Sequence, residues 1–478
     1  MHQLTAREAE LLAAETPTTV GHHSLYLELE PRADGVALSY ERLCELLLAR
    51  LHMLPALRRR LRKVPLDLDL PWWIEDPHFD VDYHVRHLAV PGRTDPGALE
   101  QLLGRLHERP LHRNRPLWEM YLIELPENVA GVFIKLHHAL VDGELGLDVF
   151  GILAAEPTPV DPTAWRRRDM VPADSDLLIR AGWSLLRSPI RAIGMLTKNA
   201  KLVPLIGRST LFGIVAPWIA PPSTIDLAAS DQPVPRVSFN RTIGAHRRVA
   251  RASLSLTELR AIRRHFDVRF NDVILALVAG TLRHWLILHD ELPLDPLVAL
   301  TPMMVDSRQD RLGTVLVALA THRHDPVERL REISQNMALL SDGVHPSSAE
   351  SIRGMFDAAP AMASVASRLI VRTGAFTRLM PPFNVYVVNV PGGAADTTID
   401  GHRVAHQYPL SALVDGTGLS VGVTSHGDVV DVCFVSDREL VTDVELMADR
   451  VGVELDLLLR QTNKSATRTK RAARAARP

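Results

Sequence analysis

The segment from Tyr121 to Leu153 limits the possible folds more than any other part of the chain. Tyr121–Leu125 and Val129–Leu136 are short apolar runs separated by Pro126-Glu127-Asn128. This pattern predicts two antiparallel strands joined by a tight turn. The second run leads into His137-His138-Ala139-Leu140-Val141-Asp142-Gly143, after which Leu145, Val149, Ile152 and Leu153 follow a helical pattern. A polar loop between a strand end and a helix start is held rigidly, and Gly143 lets the chain turn tightly into the helix.

The same alternation of short strands and helices continues elsewhere. Leu25, Leu27 and Leu29 alternate with Tyr26, Glu28 and Glu30, which predicts a half-buried strand. Helices are expected from Tyr40 and again through Leu99, Leu102, Leu103 and Leu106, while residues 71–90 read as turn and strand. Residues 246–256 predict a strand, with Thr257 as cap of the following helix. Asn271-Asp272 precede a strong apolar helix. Further strands are expected at Leu297–Leu300, Val315–Ala320 and Val385–Val388, the last running into Asn389-Val390-Pro391-Gly392-Gly393. Leu419–Val423 and Val429–Phe434 flank a hairpin turn, and a final helix is expected over 441–459. A chain of 478 residues holds two domains or two similar halves. The expected architecture is α/β, two lobes with mixed sheets. The lobes span 1–155 and 237–460, with a crossover at 156–236 and a disordered basic tail at 461–478.

Charge and composition exclude several classes. A formal charge of −2 gives no general attraction to nucleic acid. Cys44 and Cys433 lie too far apart in sequence to suggest a disulfide framework or zinc site, and read as small core residues. The acidic start, with Glu8, Glu10 and Glu15, is unlike a secretory signal, and no transmembrane helix is expected. Arg58, Arg59, Arg60, Arg62 and Lys63 form a basic run that reads as a solvated helix end or an anion-attracting rim. From Leu177 to Trp218 an apolar stretch carries scattered Arg and Lys. It reads as crossover helices or as a segment lying in a membrane interface. The expectation is a cytoplasmic protein with peripheral contact to the inner face of the plasma membrane or to lipid droplets.

The His-His loop offers a proton acceptor. Histidine suits general-base work near neutral pH because its unperturbed pKa is about 6.5. Attack of a hydroxyl on a thioester needs such a base but no serine or cysteine nucleophile, because holding both substrates together supplies much of the rate. Asp142 is placed to orient a neighbour or to pair with an arginine. Adjacent histidines at a strand end point apart, which disfavours a shared metal ion. The second pair, His22-His23, reads as serving surface or packing purposes.

His137-His138-Ala139-Leu140-Val141-Asp142-Gly143 matches the HHxxxDG motif of the thioester-dependent acyltransferases. Leu54-Pro55 with the arginines after it, Pro71-Trp72 through Asp76, Phe79-Asp80 and Arg115-Pro116-Leu117-Trp118 narrow the likeness. So do Asn271-Asp272, Pro302 with Arg308, and Asn389-Val390-Pro391-Gly392. Together they resemble the bacterial wax ester synthase/diacylglycerol acyltransferase family across nearly the whole chain. The resemblance implies two chloramphenicol-acetyltransferase-like lobes in a condensation-domain-like arrangement, with a tunnel or cleft between them. It implies transfer from acyl-CoA, a co-substrate, to diacylglycerol or a fatty alcohol, with no separate cofactor and no metal. It places His138 as general base, His137 as support for the loop and Asp142 as a salt-bridged structural acid. Asn271 then either helps bind or polarise a substrate or caps its helix. Asp272, Asn389, Pro391 and Gly392 fall in the family's motif positions. Gly143 reads as a structural part of the loop, Pro116, Leu117 and Trp118 as structural or acyl-pocket-forming, and Arg308 as stabilising the loop or pairing with an acid across the lobes. The chain departs from the family pattern at Thr314 after Gly313, at Ser420 after Leu419, and at Gln3-Leu4-Thr5-Ala6-Arg7-Glu8.

Overall fold

The structure, a computed structural model, describes residues 1–65, 69–90, 97–141, 149–154, 172–180, 234–306, 311–343, 383–394 and 396–475. The chain divides into two compact units. The first takes Met1–Asp226, His345–Leu379 and Asp396–Gln407, and the second takes Leu227–Val344, Met380–Ala395 and Tyr408–Pro478. The proposed membrane-facing stretch of 177–218 lies almost wholly outside the described residues, as do Asp142, Gly143 and Arg308.

In chain order the first part contains β1 (His2–Gln3), α1 (Ala6–Ala13), β2 (His22–Leu29), α2 (Tyr40–Arg50), β3 (Arg59–Arg62) and β4 (Trp72–Glu75). These are followed by α3 (Val81–His84), β5 (Val85–Ala89), α4 (Ala98–Glu108), β6 (Trp118–Glu124), β7 (Ala130–His137), α5 (His138–Val141) and α6 (Val149–Ala154). The second part continues with β8 (Arg247–Ser255), α7 (Leu256–Phe266), α8 (Phe270–Leu288), β9 (Val298–Asp306), β10 (Arg311–Ala318), α9 (Pro326–Gly343) and β11 (Val385–Pro391). It ends with β12 (Thr398–Ile399), β13 (His402–Leu410), β14 (Leu419–His426), β15 (Val429–Asp437) and α10 (Glu445–Ala475).

Unit 1 carries a six-stranded mixed sheet in the order β12-β13-β2-β7-β6-β5, and a small sheet β1-β4-β3. β2, β7 and β6 run antiparallel, whereas β6 and β5 are parallel. Every residue of β7 is buried, and all of β6 except Glu124, so both faces of these strands are covered and buried residues do not alternate with exposed ones. The turn joining them puts Glu127 and Asn128 at positive φ, a conformation that asparagine tolerates better than most residues. The basic run is a short 3-10 turn leading into β3, not a helix end. Strand pairing with β4 brings Arg58 to Glu75 and Arg60 to Asp76, and Arg62 meets Asp174. These acids neutralise much of the charge that would have made an anion-attracting rim.

Unit 2 carries a second six-stranded mixed sheet in the order β10-β9-β11-β14-β15-β8. The expected hairpin is β14–β15, paired from Leu419↔Ser436 to His426↔Val429. Helix α8 is long and apolar enough to cross a membrane by length and composition, but 72% of that window is buried inside the protein. Val273 to Leu286 join the aliphatic core shared with α7, α9, α10 and the sheet. Two expected caps fall elsewhere. Ser255 caps α7 by accepting from the Glu258 N–H, while Thr257 Oγ1 donates to Asp428 Oδ1 at 2.6 Å. Helix α8 starts at Phe270, so Asn271 sits inside the first turn, and Asp272 Oδ2 accepts the Arg269 N–H at 3.0 Å. A side chain that reaches back to the residue before the helix closes its end as well as an N-cap does. Finally, α10 continues to Ala475, through the stretch whose composition predicts disorder. Ala, Lys and Arg there are strong helix formers, and the helix before them is already nucleated.

Candidate active site

Strand β7 ends on His137 and α5 begins on His138, so the motif lies where a strand becomes a helix. Two backbone bonds fix that junction. The His137 N–H donates to the Leu117 carbonyl at 3.1 Å, and the His138 N–H donates to the Gly21 carbonyl at 2.9 Å. The β2–β7 register sets His22 opposite His137 and His23 opposite Leu136. Both His-His pairs therefore meet at one end of the sheet. Side chains alternate across a sheet, and the rings of His137 and His138 go to different partners.

The His137 ring meets protein at both nitrogens, through a hydrogen bond at one and an ion-pair contact at the other. Its Nδ1 accepts the Ala139 N–H at 3.0 Å, and its Nε2 lies 3.2 Å from Glu15 Oε1. The first contact requires a lone pair on Nδ1, so the proton of the neutral ring sits on Nε2 and faces the carboxylate. Glu15 also accepts the Gly21 N–H at 2.9 Å and the Arg113 Nε–H at 3.0 Å, and Arg113 donates to the Leu12 carbonyl at 2.5 Å. Burial alone would raise the Glu15 pKa, but His137 and Arg113 outweigh it and bring the value down to about 2. Gly21 is required by space. A Cβ there would stand 2.7 Å from His137 Nε2 and 2.8 Å from the Glu15 side chain.

Behind this contact lies a second set of buried polar groups. His22 Nε2 is 2.7 Å from the His107 carbonyl, and Ser24 Oγ is 2.9 Å from His107 Nδ1. Burial, followed by the charge of Lys135, pushes the His22 pKa well down, so its ring is neutral. Lys135 donates to the carbonyls of Leu106 and Arg109 at 3.0 and 2.6 Å and lies 3.3 Å from Glu119 Oε2. Burial lowers its pKa to about 8 against the opposing pull of Glu119. Lys135 thus ties the end of α4, where helix carbonyls lack internal partners, to the middle of β7.

His138 faces His23. Their Nδ1 atoms are 3.4 Å apart, with ring centroids at 4.9 Å and planes inclined by 59°. Burial, with a smaller contribution from His137, lowers the His23 pKa to about 4.

Pro116, Leu117 and Trp118 are buried beside this junction. Trp118 stacks on His84 at 4.4 Å, and its Nε1–H donates to the Leu57 carbonyl at 2.7 Å. In unit 2, Asp272 is buried and accepts a hydrogen bond from Ser334 Oγ at 2.9 Å, and Asn271 is half-buried in the same helical turn. Asn389 and Pro391 lie in β11, paired with Val423 and Ser425 of β14. Among the described residues the pairing of β11 with β9 stops at Tyr386, so the proline's missing N–H costs no bond on that edge. A Cβ on Gly392 would meet the Ser425 carbonyl at 2.5 Å, which accounts for the glycine. The structure therefore brings together His137, His138 and the Pro116-Leu117-Trp118 segment in unit 1, while Asn271, Asp272, Asn389, Pro391 and Gly392 belong to unit 2.

Four residues at the junction went unrecognised in the sequence: Glu15, Gly21, His23 and Arg113. His22-His23 are not surface residues, because the antiparallel register carries them to the motif. The available signal was the recurrence of a His-His pair at a predicted strand end. Among the described residues no group of three His, Cys, Asp or Glu is arranged to hold a metal ion.

A chain of two mixed α/β units with a His-His junction of this kind has recognisable relatives. The family model "Wax ester synthase/diacylglycerol acyltransferase catalytic domain" matches residues 4–274, and "WS/DGAT C-terminal domain" matches residues 309–459. A protein of Mycobacterium tuberculosis (strain ATCC 25618 / H37Rv), provisionally named a diacylglycerol O-acyltransferase, is 30% identical over 95% of this chain and 90% of its own length. A Mycobacterium bovis protein with the same provisional name is 30% identical over 90% of this chain and 92% of its own. The solved wax ester synthase/diacylglycerol acyltransferase of Marinobacter aquaeolei VT8 shares the fold, with a TM-score of 0.68 and 23% identity over 97% of this chain and 100% of that one. The chain belongs to the bacterial wax ester synthase/diacylglycerol acyltransferase family of CoA-dependent acyltransferases.

Proposed function

We propose that this protein transfers a long-chain acyl group from acyl-CoA to the free hydroxyl of diacylglycerol, with His138 as general base. Family membership and the names of the mycobacterial relatives support the substrate pair. One observation carries the choice of base. His137 Nδ1 is taken up by the Ala139 N–H, and its Nε2 stands 3.2 Å from the Glu15 carboxylate. It is built to support the loop. His138 is the other imidazole of the motif, presented at the start of α5 on a backbone bond to Gly21.

His138 Nε2 takes the hydroxyl proton as the alcohol oxygen attacks the thioester carbonyl. The tetrahedral intermediate then expels the CoA thiolate, which receives that proton from His138. The products are triacylglycerol and CoA. With a fatty alcohol the same steps give a wax ester, a reading favoured by the dual name of the family. Each unit is read as a chloramphenicol-acetyltransferase-like lobe, supported by its six-stranded mixed sheet. Substrates this apolar call for peripheral contact with a membrane or lipid droplet from the cytoplasmic side, which flotation with anionic liposomes tests.

The decisive experiment is product analysis with purified enzyme, labelled palmitoyl-CoA and competing diacylglycerol and fatty alcohol. Triacylglycerol is the expected main product. His138→Ala is expected to lower kcat by roughly 10²–10⁴-fold with the melting temperature retained. Unchanged turnover in that variant removes His138 from the mechanism, and absence of any ester product removes the reaction.

A further inference from the structure

We infer that His23 is a positioning residue for the reaction, accepting a hydrogen bond from His138 Nδ1–H and thereby keeping the lone pair of His138 on Nε2. This inference rests on the reading of His138 as base. It carries that reading one residue further, to the group that sets which nitrogen does the work.

The geometry is a pairing of like atoms. Nδ1 of His23 and Nδ1 of His138 approach to 3.4 Å. A hydrogen bond between two such nitrogens needs one proton, held by one ring and accepted by the other. If His23 donates, the proton of neutral His138 sits on Nε2 and that nitrogen cannot act as a base. If His138 donates, Nε2 has the lone pair the reaction needs. The second arrangement also improves as the reaction proceeds. When His138 takes the substrate proton it becomes a cation, and its Nδ1–H becomes a charge-assisted donor. The distance of 3.4 Å is long for a hydrogen bond, and a cationic donor shortens it, as catalytic contacts tighten from the substrate-free form.

The surroundings favour an acceptor at His23. Its ring is kept neutral chiefly by burial, so it does not compete for the proton or repel the His138 cation. Among the described residues, the other charged and titratable groups packed here make contacts of their own. Glu15 is engaged by His137 and Arg113, Lys135 by Glu119 and two carbonyls, and His22 lies against His107. Glu8 of α1 accepts from Thr5 and Trp73. The backbone adds precision, because Gly21, two residues before His23, holds the His138 N–H. One short stretch of β2 therefore fixes the main chain of His138 and faces its ring.

Two substitutions separate positioning from packing. His23→Leu keeps bulk and removes the acceptor, whereas His23→Asn places an amide oxygen where Nδ1 stood. In His23→Leu we expect kcat to fall roughly 10–100-fold, the size seen when a partner that orients a functional histidine is lost. KM for palmitoyl-CoA should be unchanged. The acid limb of the kcat–pH profile should move to lower pH, because cationic His138 has lost its acceptor. His23→Asn should recover most of kcat and return the limb toward the wild-type position. Should His23→Leu fold poorly, the limb measured in His23→Asn and His23→Ala decides between them. Wild-type kcat and limb in His23→Leu, or equal impairment of Leu, Ala and Asn variants with an unmoved limb, would overturn the inference. His138→Ala run in parallel distinguishes the two claims. If it stays active, the base reading fails. If it is inactive while His23→Leu is normal, only the positioning role fails.

Discussion

Both units rest on a six-stranded mixed sheet, yet they bury polar groups to different ends. In unit 2 the buried polar side chains join pieces of architecture. Asn240 and Asn384 bond each other at 2.7 Å and reach three backbone carbonyls, those of Pro235, Asn384 and Gly416. Arg329 meets Glu454 at 2.6 Å where α9 and α10 pack against α8, in space left by Gly280. In unit 1 polar groups gather at the end of one strand, where four imidazoles meet: His22 and His137 are buried, and His23 and His138 are half-buried. An ion pair on a helix face resists change in protonation. Neighbouring neutral imidazoles can pass a proton or orient one another. Similar sheets thus bury an ion pair and paired amides in one case and gather imidazoles in the other.

The largest expected effect falls on unit 2. Glu454→Ala leaves the Arg329 guanidinium buried without its carboxylate, which should cost about 3–5 kcal/mol. Denaturant unfolding should show the loss, while kcat per folded molecule stays near wild type. A large change in kcat with intact stability would break the division of labour between the units.

Glu15 tests the same division from the other side. Its pKa of about 2 lies below an ordinary value of 4.5, so ionised Glu15 stabilises the fold by roughly 3 kcal/mol. For a depressed carboxylate this stability is fully present above the unfolded value and is lost as pH falls through the folded one. Wild-type stability should therefore decline from about pH 4.5 to about pH 2. In Glu15→Gln, stability at neutral pH should drop by roughly 2–3 kcal/mol and this share of the acid dependence should vanish. Urea midpoints across that range read both. An unchanged pH dependence would remove Glu15 from the support of His137.

Gly21→Ala should give the smallest loss of stability, about 1–3 kcal/mol from overpacking, because the new Cβ drives into His137 Nε2 and Glu15. Here activity should suffer more than stability, since the same shift moves the carbonyl that holds the His138 N–H. Thermal melts beside kcat measurements sharpen the comparison. Loss of stability with full activity would show that the junction tolerates movement.

How much of this was legible in sequence follows from the distance over which each contact acts. The β6–β7 pair, the β14–β15 hairpin and the apolar core of α8 were readable, because pattern and turn chemistry are local. The caps of α7 and α8 slipped by a residue or two, since Ser255 and Thr257 offer similar hydroxyls and only tertiary contact with Asp428 separates them. The motif itself was plain. Its support was not, because His23 reaches His138 through strand register, which hydrophobic alternation in β2 does not specify across more than a hundred residues, and Glu15 and Gly21 reach the motif from the irregular segment before β2. Arg113 gave no signal at all, being one of three arginines in the irregular segment between α4 and β6.

The bond from the His137 N–H to the Leu117 carbonyl has a consequence for variation among relatives. Pro116-Leu117-Trp118 and the His-His stretch are about twenty positions apart and would ordinarily be scored as two independent signatures. In space they are consecutive links of one clasp, with Trp118 seated by Leu57 and Leu117 holding the first histidine in place. A drift at Trp118 should therefore be inherited together with changes near His137, and finding both signatures intact in a distant sequence is one piece of news, not two.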